Sequence, residues 1–226
     1  MGSDADMREV WDDHAMAWTE RVVETSEGPA RLIYDRARRT TATLVLGHGA
    51  GGGPEARDLE ALASALPASG ISVIRVEQPW RLAGKRLAPS PARLDRGWIG
   101  ALNHLRTRSP LIVGGRSAGA RVACRTARAL GAVGCVALAF PLHPPGRPEK
   151  SRAEELLEAG VPTLVVQGER DSFGRSDELP DGVEIVTVPG ADHEFRVSRS
   201  SPVDQEEALA IVVESVAEWI VRTVGG

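Results

Sequence analysis

A serine set between small residues, an aspartate and a histidine, each just past an apolar run, are the residues whose types and order here allow covalent chemistry. A serine hydroxyl is a weak nucleophile at neutral pH. It needs a base beside it and a third group to orient that base. Ser117 lies in Gly115-Arg116-Ser117-Ala118-Gly119, the pattern G-x-S-x-G. In that pattern a strand turns into a helix within a few residues. The serine is then held in a strained, prominent position, and its flanks must be small. The helix behind it offers free N–H groups and a positive end to developing negative charge. Read alone, the five residues fit a glycine-rich turn equally well. Their context favours chemistry. Residues 111–113 read as a buried strand and residues 118–130 as an alanine-rich helix. Downstream come Asp171 and then His193, with Glu169 the nearest rival acid and Asp177 a more distant one.

The elements that must position these residues follow from periodicity. Residues 19–25 and 30–35 are extended and separated by Ser26-Glu27-Gly28-Pro29, which predicts an antiparallel hairpin at a sheet edge. Residues 40–47 give a central strand. Residues 55–69 carry Leu59, Leu62, Ala63 and Leu66 on one helical face, and Gly70 stops that helix. A strand is expected at 72–76, a long polar loop at 77–94 and a helix at 93–107. Strands follow at 134–140, 163–167 and 183–188, a short helix at 151–159 and an amphipathic helix at 204–223. This alternation predicts an α/β fold, with a mostly parallel sheet, helices on both faces and an antiparallel N-terminal edge. Residues 1–17 are expected to form a tail or short helix, and residues 18–226 a single domain. In parallel sheets, sites form at the carboxyl ends of strands. His48, Glu77, Ser117, His143, Asp171 and His193 all fall at such ends.

Composition narrows the function. The 226 residues suffice for one domain with a sizeable core. A net charge of −4 gives no reason to expect nucleic acid, and no apolar run has the length of a membrane span. The first residues are polar and acidic, unlike a secretory signal, so a cytoplasmic location is expected. Arginine far outnumbers lysine, which fits a GC-rich bacterial genome. Cys124 and Cys135 read as small core residues.

The order Ser, Asp, His, and the residues around each, resemble the α/β-hydrolase superfamily. Gly-Gly-Arg-Ser117-Ala-Gly resembles its nucleophile elbow, Gln-Gly-Glu-Arg-Asp171-Ser-Phe-Gly its acid loop and Pro-Gly-Ala-Asp-His193-Glu-Phe its histidine loop. The size is similar to the compact, lidless, dienelactone-hydrolase-like branch, with serine in place of that enzyme's cysteine. The resemblance implies a Ser117-His193-Asp171 triad and a serine hydrolase acting on an ester or thioester of a small acyl substrate, with no cofactor or metal. It also implies an oxyanion loop at His48-Gly49-Ala50-Gly51, with N–H donors from Ala50 and Ala118 and Gly51 as the alternative to Ala50. His48 reads as a loop brace. Arg116 is expected either to face a substrate anion or to form a structural ion pair. Trp80, beside the cluster from Arg81 to Arg86, and His143 are expected to line a pocket. A non-catalytic scaffold, or an acyltransferase or cyclase, remains the competing reading, and oligomeric state is left open.

Overall fold

The computed structural model describes residues 8–9 and 18–225. Nine strands form one sheet: β1 (Arg8–Glu9), β2 (Trp18–Val23), β3 (Ala30–Asp35), β4 (Ala42–Gly47), β5 (Ile71–Glu77), β6 (Leu111–Arg116), β7 (Gly134–Leu138), β8 (Thr163–Gly168) and β9 (Glu184–Val188). Their spatial order is β1-β2-β3-β5-β4-β6-β7-β8-β9. The first four in that order pair antiparallel, and every pair from β5 onward is parallel. The expected hairpin is therefore β2–β3, closed by mutual hydrogen bonds between Thr25 and Gly28. Of residues 1–17, only Arg8 and Glu9 are described, and they pair with β2 as a short edge strand. The expected tail or short helix otherwise lies outside the described residues.

Period-two alternation divides the core. Leu44 and Leu46 of β4 point to one face and Val45 to the other. The first face is covered by α1 (Arg57–Ala65) and α6 (Gln205–Gly225), through Leu59, Leu62, Val212 and Val216. The second is covered by α3 (Pro91–Leu102), α4 (Ala118–Thr126) and α5 (Ala153–Leu157), with Trp98 fully buried at its centre. The long loop expected at 77–94 is interrupted by α2 (Pro79–Leu82), and α3 starts earlier than expected because Pro91 takes the first helical position. It also ends at Leu102 rather than Thr107. Helix α6 begins with a capping box: Asp204 Oδ1 accepts from the Glu207 N–H at 2.9 Å, and Glu207 Oε2 accepts from the Asp204 N–H at 2.8 Å.

The carboxyl end of β4 lies directly against β6 and α4. A Cβ on Gly115 would stand 2.4 Å from the Gly47 carbonyl oxygen, and one on Gly119 only 2.3 Å from it. Both contacts are with backbone, so neither can be relieved by a rotamer. Gly119→Ala is accordingly expected to lower stability by about 2–3 kcal/mol. Gly51→Ala, where nothing lies within 4 Å, should change it by less than about 0.5 kcal/mol. Chemical denaturation of both variants checks the contrast.

Candidate active site

Ser117 sits between β6 and α4 with φ 53° and ψ −113°, a conformation that costs a non-glycine residue on the order of 1–3 kcal/mol. The turn is held from both sides. The Ser117 N–H donates to the Leu138 carbonyl at the end of β7 at 2.9 Å, and the Arg121 N–H donates to the Ser117 carbonyl at 3.2 Å. Its side chain is thereby fixed at the carboxyl edge of the sheet.

The other two groups arrive on loops after β8 and β9. His193 Nε2 lies 2.9 Å from Ser117 Oγ, and His193 Nδ1 lies 2.7 Å from Asp171 Oδ2. A carboxylate only accepts, so the proton sits on Nδ1 and leaves Nε2 free to accept the serine hydroxyl. Asp171 is almost fully buried and held on both oxygens. The Phe173 N–H donates to Oδ1 at 2.8 Å, and Gln167 Nε2 donates to Oδ2 at 3.0 Å. Gln167 is completely buried and also bonds Phe140 on both its N–H and its carbonyl, tying the acid loop to the end of β7. The Phe173 ring lies 4.2 Å from the His193 ring, centroid to centroid, and covers its flank.

The rival acids are committed elsewhere. Glu169 Oε2 accepts from the Gly190 N–H at 2.6 Å and so anchors the histidine loop, while Asp177 pairs with Arg175 at the surface. That loop is tightened by Asp192, whose Oδ1 accepts from the N–H groups of Glu194 and Arg196, and by buried Phe195 at φ 52°.

Helix α4 begins at Ala118, so the Ala118 N–H is one of the donors a helix leaves free beside Ser117. On the other side stands the loop after β4, where a Cβ on Gly49 would be 3.5 Å from Ser117 Cβ. His48 governs this loop. Its Nε2 accepts from the Gln78 N–H at 3.1 Å, and its Nδ1 donates to the Gly49 carbonyl at 2.8 Å. Accepting at Nε2 while donating at Nδ1 requires the neutral ring, and burial lowers the His48 pKa in keeping with that. In a trans peptide the carbonyl and the following N–H point opposite ways. Drawing the Gly49 carbonyl toward His48 therefore turns the Ala50 N–H away from it. Ala50 and Gly51 are both exposed at the sheet edge.

Arg116 does not face the open site. Its Nη2 donates to the His193 carbonyl at 2.7 Å, and its Nε pairs with Asp58 Oδ2 at 3.2 Å. Of its two expected roles, the geometry matches the ion pair and corrects the placement of Arg116 against a substrate anion. The reason lies in α1. Asp58, in its first turn, is 1% exposed and among the described residues pairs with no other cation. Trp80 is buried beside His48, with ring centroids 5.6 Å apart, and lines a small cavity of about 190 Å³ with Gln78 and Pro79. His143 is buried against the acid loop, its N–H donating to the Phe173 carbonyl. Sequence reasoning missed Gln167, Asp58 and Phe173. Gln167 carried a readable signal, being a lone amide at the end of an apolar strand just before the acid.

Among the described residues, no cluster of metal-ligating side chains occurs, and no helix is long and apolar enough to cross a membrane. The family described as the alpha/beta hydrolase domain matches residues 40–221. Among curated proteins none matches the chain. Solved structures share the fold at low identity. A lidless α/β serine hydrolase from Xanthomonas campestris superposes with a TM-score of 0.67 at 20% identity, over 88% of this chain and 93% of that one. A dienelactone hydrolase from Anabaena variabilis gives 0.69 at 18% identity, over 96% and 98%. Est1E from Butyrivibrio proteoclasticus gives 0.62 at 14% identity, over 97% and 99%. With four-fifths of its length matched by the family, and the strand order such folds share, the chain belongs to the alpha/beta hydrolases.

Proposed function

We propose that the protein is a serine hydrolase that cleaves an ester or thioester of a small acyl substrate. The observation that carries this reading is the unbroken hydrogen-bond chain from Ser117 through His193 to Asp171. As Ser117 Oγ attacks the carbonyl carbon, its proton passes to His193 Nε2. Asp171 then stabilises the imidazolium through Nδ1. The developing oxyanion is met by the N–H groups of Ala118 and Ala50, each donor contributing about 2.7–4 kcal/mol to the transition state. His193 returns the proton to the leaving alcohol or thiol. Water, activated by the same ring, then releases the acid.

The test is labelling by a fluorophosphonate, run beside turnover of a panel of short-chain esters and thioesters. Ser117 should be the modified residue, and Ser117→Ala should neither label nor turn over. Folded protein that does neither would support the scaffold reading, and product formed only with an added alcohol or amine would support a transferase.

The brace on the oxyanion loop gives a second expectation. His48→Ala frees the Gly49–Ala50 peptide, so kcat should fall by about 10- to 100-fold with KM changed less than threefold, as for partial loss of one oxyanion donor. Steady-state kinetics on the same esters read the split.

A further inference from the structure

One well-formed hollow among the described residues does not lie beside Ser117. It lies at the opposite edge of the sheet, where β4, β5 and β6 begin, about 20 Å away along strands of six or seven residues. Its volume is about 420 Å³, in the range of small-molecule pockets. Among the described residues its wall carries Arg21, Arg36, Arg106, Arg108 and His104, and no carboxylate. That is unusual for this protein. Elsewhere several half-buried arginines are matched with acids: Arg75 with Asp35, Arg125 with Asp95 and Glu155, Arg121 with Glu155. A chain of net charge −4 has acids to spare, yet among the described residues none lines this pocket.

Two of the cations pack about one ring. Arg21 on β2 is a diagonal neighbour of Tyr34 on β3, since Thr19 pairs with Tyr34 and Arg21 with Leu32. The Arg36 guanidinium carbon lies over the same ring, 4.8 Å from its centroid. The Arg21 Nε is buried without a hydrogen-bond partner. The floor is polar. Ser72 Oγ accepts from the Ala37 N–H and bonds Thr40 Oγ1 at 2.7 Å, and Thr43 Oγ1 bonds Ser109 Oγ at 2.7 Å. Guanidinium forks above a row of hydroxyls match a tetrahedral oxyanion better than a flat or apolar ligand.

We infer that this pocket binds a compact phosphorylated small molecule, at a site separate from the reacting groups and independent of the hydrolase reading. The probe is inorganic pyrophosphate, titrated calorimetrically into the full chain at constant ionic strength, with thermal melting alongside. Saturable binding and a raised Tm are expected. Arg36→Glu and Arg106→Glu, both at exposed positions, should each weaken binding at least tenfold while keeping the unliganded Tm. Ser117→Ala, and Arg199→Glu beyond the histidine loop, should leave it unchanged. The inference is overturned if folded protein gives no saturable heat, or if neither pocket variant matters. It is also overturned if sulfate, phosphate and pyrophosphate bind alike and all are lost at 0.15 M salt, the behaviour of a loose counter-ion cloud. Vesicles with one-fifth anionic phospholipid form the last arm. Arg36-dependent sedimentation without pyrophosphate binding would assign the charge to a membrane surface and sink the small-molecule site.

Discussion

Ser117→Ala is expected to lower kcat on a short-chain ester by about 10⁴-fold or more with KM little changed, because the hydroxyl enters bonding only as the transition state forms. Asp171→Asn should cost a similar factor, for a reason visible in the hydrogen bonds. Both Asp171 oxygens already accept, from Gln167 Nε2 and from the Phe173 N–H, while Oδ2 also faces His193 Nδ1. An amide NH₂ in either position meets a donor. Placed toward His193 it favours the tautomer with the proton on Nε2, which cannot take the serine proton. Groups that act as one unit are not additive, so Ser117→Ala/His193→Ala should be no slower than Ser117→Ala within a few-fold. Single-turnover and steady-state rates on the three variants check this. A Ser117→Ala protein that keeps a tenth of the wild-type rate would refute the acyl-enzyme route.

Arg116→Ala is expected to be among the most damaging changes to stability, at about 3–5 kcal/mol near pH 8, because it strips a buried carboxylate of its partner. The effect should depend on pH. Burial raises the Asp58 pKa, against the pull of Arg116. A carboxyl whose folded pKa exceeds its unfolded value binds more protons when folded, so its contribution is fully present below the unfolded pKa and is lost as pH rises through the folded one. Without Arg116 the folded pKa climbs further. The deficit of the variant should then shrink from pH 8 toward pH 5 as Asp58 takes a proton. Arg116→Met/Asp58→Leu removes both charges and should regain most of the stability. It should not regain the rate, because the Arg116 bond to the His193 carbonyl remains absent. Urea melts across pH, read beside kcat, separate the two roles.

What could be read in advance follows the range of the physics. Alternation such as Leu44-Val45-Leu46 is local, and it placed the sheet and its two covering layers. The residues of the hydrogen-bonded chain were legible because each motif needs its own small residues beside it. The boundaries of α3 were not, since Pro91 and the end at Leu102 reflect packing around Trp98 more than residue preference. Nor could the direction of Arg116 be settled. Its partner, Asp58, lies on a helix across the sheet edge, and nothing within ten residues of Arg116 distinguishes an ion pair from a substrate contact. Gln167 shows a third situation. Its bonds run to Phe140 and Asp171 at once, a convergence only the folded chain displays.

The backbone contact of Gly47 with Gly115 and Gly119 also bears on what a substitution there can do. β4 and the segment bearing the serine touch without any side chain between them, so neither can be reshaped without displacing the other. Trp80 on α2, and His143 and Phe173 on the loops after β7 and β8, lie outside that contact. Any change at Gly47, Gly115 or Gly119 therefore moves the serine-bearing turn and the loop after β4 together.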